Sequence, residues 1–426
     1  MKRILRTILF ATIAGPSAFA QTASDADSTA DAGTFTISGY IDSYYLTTFN
    51  QPRSGNLIGI GQSDGSLKVG RAFDRLANQF ALGLVQTKFA YTNAKSDLVI
   101  DLTFGPNAEL GNFGNTRGSV VFDSTGTAIG SSTAGSPNLY YPANNYVNQL
   151  YGTAAAIKQA YFTYRATPKL SFTVGQFGTH IGYEVIDAPV NYHYSLSNLF
   201  NNGPFYHIGL KAAYAFGDNA ALMVGVVNNW DNLTDDNKQK SVIAQLFFKP
   251  VDGWNVYVNY IGGYSDDTYL TTLANGSNPA LTDYTRSLFD LTTSYQITDR
   301  FLLGINAAYG RYNFLVDESA SQNSIRNTYS TLQPAWGGVA FYGNFAVSDA
   351  FGIGARFEHF NDKHYVRYLG AINNSLTLTT PITLAAGKLL VKPELRIDTS
   401  QGFYEDADGN PTDSQSTLGV AFIYKY

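Results

Sequence analysis

In the stretch "KLLVKPELRID", Lys392, Glu394, Arg396 and Asp398 fall on even positions, while Leu389, Val391, Pro393, Leu395 and Ile397 fall on odd ones. Side chains alternate along an extended chain, so this segment is charged on one face and apolar on the other. The separation recurs elsewhere. Arg356 and Glu358 oppose Phe351, Ile353, Ala355 and Phe357; Lys211 opposes Ile208, Leu210, Ala212 and Tyr214; Asp101 opposes Leu98, Ile100, Leu102 and Phe104. A Lys or Arg turned toward lipid near the bilayer midplane costs about 2–4 kcal/mol, so in a membrane barrel these charges must face inward. The apolar set then faces lipid, and the lumen is expected to be polar and hydrated.

The connections point to the same architecture. Past Gly33 the strand signal is pervasive, as in "LVIDLTF", "AYFTYR", "WNVYVNY", "GVAFYGNF" and "FGIGARFEHF", and no segment sustains a helical period with caps. One set of connections is short and rich in turn formers: "ATPK" (166–169), "GDN" (217–219), "KPVDG" (249–253), "TDR" (298–300) and "SDA" (348–350). The other set is long and polar, at 49–77, 105–155, 179–205, 229–238, 265–283, 314–333, 361–367 and 401–414. Short and long alternate, as tight periplasmic turns and extracellular loops do in an outer-membrane barrel. The expected fold is an all-β transmembrane antiparallel barrel of about sixteen strands, with fourteen to eighteen allowed. A bulge or kink is expected at Pro393, because proline removes a ladder hydrogen bond.

Composition fits a lipid-facing chain. Charged residues are 14% of the sequence, with 30 Tyr, 28 Phe and 40 Gly, whereas a soluble domain carries roughly 25% charged residues. A net charge of −5 gives no basic footprint for nucleic acid. The opening "MKRILRTILFATIAGPSAFA" has Lys2, Arg3 and Arg6, an apolar stretch, and small residues at Ala18 and Ala20, which reads as a cleaved secretory signal over 1–20. Residues 21–33 read as a flexible, acidic periplasmic leader, and 34–426 as the barrel. With no cysteine, neither a disulfide nor a lipid anchor at the cleavage site can form. After Ala20 there is no run of 18 apolar residues, hence no membrane helix.

The run "VGQFGTHIGYEVIDAPVNYHYSLSNLFNNGPFYHIGLKAAYAF", preceded by "IKQAYFTY" and followed by "GVVNNWDNLTDDNKQKSVIAQLFFKP", resembles the putative β-barrel porin-2 (OmpL-like) family of bacterial outer-membrane proteins. "GYIDSYY" (39–45) and "KPELRIDTS" (392–400) resemble its first and penultimate strands, so the likeness spans nearly the whole chain after the leader. The sequence departs from the pattern at Leu196, where a basic residue is expected, and at Asn229, where glycine is expected. The resemblance implies architecture more than substrate.

Two candidate sites follow. The segment 179–205 is aromatic and amide-rich, and it could fold into the lumen and offer Glu184, Asp187, Asn191, Tyr192, Tyr194 and Asn198 to solutes, or pack over the rim for stability. The inward charges Asp101, Lys211, Arg356, Glu358, Lys392, Glu394, Arg396 and Asp398 are pore-lining candidates. The alternating signs on 392–398 would orient dipolar solutes or form a water-solvated wall; the second reading is preferred, and mixed signs predict weak ion selectivity. His193, Ser195 and Asp187 could in principle serve a hydrolase, but no nucleophile-elbow or metal-ligand pattern surrounds them. The other histidines, His180, His207, His359 and His364, are scattered.

The function expected is an outer-membrane porin in a Gram-negative bacterium, passing small hydrophilic solutes without a cofactor. The rival is a closed-lumen barrel whose loops act as a surface receptor or adhesin. Outer-membrane lipid and the solutes are the expected partners, and whether the barrel forms a homotrimer is left open. The terminal "TLGVAFIYKY" places Leu418, Val420, Phe422, Tyr424 and Tyr426 on one face. That face should meet lipid, signal the outer-membrane assembly machinery, and belong to a strand that pairs with the one beginning near Thr34.

Overall fold

The structure, a computed structural model, describes residues 33–53, 60–63, 66–69, 71, 73–113, 121–122, 128–129, 156–233, 239–264, 280–317, 329–332, 335–363, 366–367 and 370–426. The expected signal at 1–20, the leader up to residue 32, His364 and most of 105–155 lie outside the described residues.

Alternating, β-branched and aromatic-rich segments form the strands β1 (Thr34–Thr48), β2 (Gln79–Thr92), β3 (Ser96–Phe104), β4 (Ile157–Arg165), β5 (Leu170–Gly178), β6 (Tyr206–Gly217), β7 (Ala220–Val227) and β8 (Ser241–Phe248). They continue as β9 (Trp254–Tyr264), β10 (Ala280–Thr298), β11 (Phe301–Asp317), β12 (Tyr329–Leu332 with Ala335–Ala346), β13 (Gly352–Asn361), β14 (Ile372–Thr379 with Ile382–Leu384), β15 (Leu389–Glu405) and β16 (Pro411–Lys425). Each strand pairs antiparallel with its sequence neighbours, and β1 pairs with both β2 and β16, so the sheet of sixteen strands closes on itself. Closure leaves no edge of unpaired backbone groups, which a span through lipid requires. The turns are local chemistry: between β2 and β3 the Asn93 side chain accepts from the amides of Lys95 (2.9 Å) and Ser96 (2.7 Å).

Outward positions are apolar and exposed, among them Phe35, Ile37, Phe162, Leu210, Phe341, Leu418, Phe422 and Tyr424, and the opposite parity points into the barrel. Pro393 breaks nothing in its own strand: β15 stays in register with β16 through Pro393↔Val420. The irregularity expected there falls instead in β14, which is interrupted at Thr380–Pro381 beside Pro393; the Thr380 amide donates to the Pro393 carbonyl (3.0 Å). Two proline-bearing stretches face each other, so both missing donors are absorbed in one gap. Helix is not wholly absent, because α1 (Pro106–Phe113) and α2 (Asn198–Asn202) lie in long connections. Within the long 105–155 connection, Val121–Phe122 pairs antiparallel with Ala128–Ile129.

Candidate functional site

Residues 179–205, between β5 and β6, run through the inside of the barrel. The two ends are tied together by the Thr179 amide donating to the Phe205 carbonyl (3.0 Å). From there the Gly182 amide donates to Asp290 on β10 (3.0 Å), Glu184 pairs with Arg356 on β13 (2.5 Å), and Asp187 pairs with Lys158 on β4. Strands that far apart around the ring can share one short segment only if it crosses the interior. The other end is held by a tight turn after β7. Asp231 accepts from the amides of Phe205 (2.6 Å) and Tyr206 (2.9 Å), while its own carbonyl accepts from the Tyr206 hydroxyl (2.6 Å).

The inward charges of β13 and β15 bind this segment's backbone. Glu358 accepts from the amides of Asn198 and Leu199 and from the Asn198 side chain, all at 2.8 Å. Glu394 accepts from the amides of Tyr194 (2.7 Å) and Ser195 (3.0 Å). Arg356 donates to the Ser195 carbonyl (2.7 Å), Arg396 to the Leu196 carbonyl (2.8 Å), and Lys392 to the carbonyls of Ala188 (2.7 Å) and Asn191. Irregular backbone cannot lie dry inside a barrel unless its polar groups are paired, and these wall charges do the pairing. Charge-assisted hydrogen bonds of this kind are worth about 1.5–3 kcal/mol each.

The eight wall candidates are therefore unequal. Arg356 and Glu358 are 0% exposed, Arg396 and Asp398 1%, and Lys392 2%, so a water-solvated wall does not describe them. Asp398 accepts from Arg396 (2.8 Å) and Ser375 (2.6 Å). Asp101 is reached through Lys158 (3.5 Å) and Gln86 (3.1 Å), and Gln86 also donates to Asp187 (2.8 Å). Lys211 stands apart, over the Phe177 ring at 4.3 Å.

On the segment itself, Glu184 and Asn198 are buried and reach the wall, Glu184 through Arg356 and Asn198 through Glu358. Asn191 exchanges hydrogen bonds with the Val185 backbone. Tyr192 lies over Gly352 and Gly354, and Tyr194 packs on Tyr44 with ring centroids 5.4 Å apart. Asp187, Asn191, Tyr192 and Tyr194 keep partial exposure. His193, Ser195 and Asp187 do not converge: His193 bonds Thr379 (2.7 Å), the Ser195 hydroxyl meets Arg356 (3.3 Å), and Asp187 is on Lys158. Among the described residues, no group of three His, Cys, Asp or Glu is placed to hold a metal ion.

The polar lumen expected from parity is interrupted by an apolar patch, set among polar inward neighbours such as Gln245, Asn259 and Asp290. On β7 to β10 the inward positions include Met223, Val227, Ile243, Ile261 and Leu288, all buried in one cluster with Ile181 and Leu199 of the lumen segment. "ALMVGVV" is apolar at both parities, so its inner face carries no charge to reveal it.

A second inward segment adds to the site: Arg71 pairs with Asp74 (3.1 Å) and donates to Thr417 (3.1 Å), and Phe73 packs on Phe200 (5.9 Å) and Phe205 (5.6 Å). Leu196 joins this apolar cluster. Burial raises the Asp74 carboxyl above its usual range despite Arg71 and Arg396. Lys158 was hidden by parity, because a register shift between Asp101↔Gln159 and Leu102↔Ile157 turns it inward. Asp42 and Asp290, by contrast, carry the same alternation signal as the other wall charges. The Asp42 carboxylate receives the Leu84 amide (2.5 Å), and a Cβ on Gly83 would fall 1.9 Å from it.

A family model described as putative β-barrel porin-2, OmpL-like, matches residues 34–426. No curated protein matches the sequence. Among solved structures, the outer-membrane channel DcaP of Acinetobacter baumannii superposes with a TM-score of 0.51 at 12% identity, covering 92% of this chain and 97% of that one. An anion-selective porin from Comamonas acidovorans gives 0.51 at 9% identity, with 92% and 100% covered. A loop-deletion mutant of OmpT, an outer-membrane protein of Vibrio cholerae, gives 0.50 at 13% identity, with 93% and 100% covered. At these identities the likeness is one of fold: an outer-membrane barrel of porin type.

Proposed function

Because this chain belongs to the putative β-barrel porin-2, OmpL-like family, an outer-membrane porin family of Gram-negative bacteria, we propose that it passes small hydrophilic solutes by diffusion through a lumen narrowed by residues 179–205. The observation that carries this reading is the docking of that segment on Glu358 and Glu394 from inside the wall. The partly exposed Asp187, Asn191, Tyr192 and Tyr194 are then the groups that meet solutes, together with Lys211 on the wall. The remaining wall candidates hold the constriction in place. Residues 1–20 direct export, Leu418 to Tyr426 address the assembly machinery, and the barrel functions alone or as a homotrimer.

The closed-lumen reading is favoured by one observation, the near-complete burial of Arg356, Glu358, Lys392, Arg396 and Asp398. Planar-bilayer conductance separates the two. A constricted porin conducts as the wild type and conducts more after deletion of 188–203. A closed barrel is silent as the wild type. If the deletion leaves an open channel's conductance unchanged, the constriction is wrong.

A further inference from the structure

His193 occupies the middle of the lumen segment and is 2% exposed. Its tautomer follows from its neighbours. The Thr379 hydroxyl donates its one proton to Glu394 (2.8 Å), so at 2.7 Å the His193 Nδ1 must be the donor to Thr379. Nε2 then carries the lone pair, and it is buried without a hydrogen-bond partner. A proton added there would lie in a dry site with no acceptor. The charged and titratable groups facing the ring are Arg356 from β13, Lys392, Glu394 and Arg396 from β15, and Tyr342 from β12, with Tyr192 and Tyr194 beside it in the chain. Three cations outnumber one carboxylate, and that carboxylate already accepts from two amides and Thr379.

A second histidine contact lies where the segment begins. His180 and His207 have ring centroids 5.8 Å apart; His180 hydrogen-bonds the Tyr260 carbonyl (3.0 Å), and His207 meets Thr179 (3.0 Å) and the Asn229 carbonyl (3.1 Å). Lys211 from β6 and Arg286 from β10 face this pair, and the Asp290 carboxylate on β10 is taken up by Gly182, Asn259 and Asn306. Protonation of either ring therefore also opposes docking.

We infer that the lumen segment is an acid-released latch, held in the barrel by neutral His193 and freed when that residue takes up a proton. The inference rests on the reading of 179–205 as the constriction. Burial and the three neighbouring cations hold His193 well below the usual histidine range while the segment is docked. Once released into water it would titrate near its ordinary value of about 6.5. A group depressed in the docked state favours docking above the free value and loses that contribution as pH falls. Between pH 7.5 and 5 this one residue shifts the docking equilibrium about thirty-fold toward release.

The chain has no cysteine, so a single spin label at Asn202→Cys reports the segment directly, alongside conductance. The expected result is a rise in label mobility and conductance between pH 7.5 and 5 that is absent in His193→Asn. In that variant Nδ2 can replace Nδ1 as donor to Thr379 and takes up no proton. Glu358→Gln weakens docking, so the step should be plainly visible in that background, which also serves if His193→Asn does not assemble. An equal acid response in His193→Asn, or no response in the Glu358→Gln background, overturns the latch. A pH step in label mobility with no conductance from any form, the 188–203 deletion included, would instead overturn the channel reading and leave the latch standing.

Discussion

The Tyr426 hydroxyl donates to the Gln86 carbonyl (3.2 Å), reaching from the end of β16 across β1 to β2. It also meets the Thr87 hydroxyl at 2.9 Å. The crossing is possible because Gly39 lies between: a Cβ there would fall 2.1 Å from the Gln86 carbonyl and 2.5 Å from the Tyr426 hydroxyl. Three strands are thus fastened at the seam that closes the barrel. Tyr426→Phe should keep the lipid-facing ring but lose about 0.5–1.5 kcal/mol of stability in urea titrations. Gly39→Val should be far worse, displacing Tyr426 and reducing the fraction that runs as a folded, heat-modifiable barrel. A Gly39→Val protein as stable as the wild type would show that this clasp does not matter.

Glu358 is the carboxylate with the most donors from the lumen segment. Replacing it with alanine leaves the Asn198 and Leu199 amides without their acceptor and Arg356 and Arg396 less balanced, at a cost of roughly 3–5 kcal/mol to docking. The strand ladder of β13 does not depend on that side chain. Amide hydrogen exchange should therefore accelerate at 194–199 in Glu358→Ala and stay unchanged at 353–357. Uniform acceleration over both regions would mean that segment and barrel unfold together.

The barrel was legible in the sequence because lipid imposes a rule on every strand. Charges at 356, 358, 392, 394, 396 and 398 share the inward parity, and the alternation of short and long connections gave sixteen strands. What the segment 179–205 does inside was not legible. Parity says that Glu394 points inward, but not whether it meets water or the Tyr194 amide. The apolar inner face of β7 was hidden for the opposite reason: with Leu222, Val224 and Val226 outward and Met223 and Val227 inward, no contrast remains to be read. Lys158 was missed because a bulge changes which face a side chain takes, and no local residue type announces it.

Asn229 sits where the resemblance led us to expect glycine, and its φ of 93° shows why glycine suits the position. The asparagine offsets backbone strain of about 1–3 kcal/mol with its side chain. It accepts from Arg286 (2.7 Å) and Ser241 (3.4 Å), and donates to the Tyr264 carbonyl (3.3 Å). Asn229→Gly exchanges relief of strain for lost hydrogen bonds and should change stability by no more than about 1 kcal/mol. Asn229→Ala keeps the strain and loses the bonds, so it should cost at least about 2 kcal/mol. Thermal denaturation of both variants tests the order; alanine equal to glycine would remove the role assigned to the backbone.

Ile243 distinguishes a dry interior from a wet one. It is 0% exposed and clusters with Ile181 and Leu199 of the lumen segment, although it faces the inside of the barrel. In a hydrated lumen, Ile243→Asn would be nearly neutral, because the amide would simply meet water. Against Ile181 and Leu199 it should cost about 2–4 kcal/mol, from lost apolar burial and an amide without partners. That cost falls on segment docking rather than on the β8 ladder, which pairs Ile243 with Gly225 and Ile261 through backbone. Ile243→Asn should therefore raise conductance and proteolysis within 179–205 while the barrel remains folded. Val242→Ala, the neighbouring residue on β8 but exposed on the outer face, should leave both unchanged. If Ile243→Asn behaves like Val242→Ala, the segment is not seated on this apolar wall in solution.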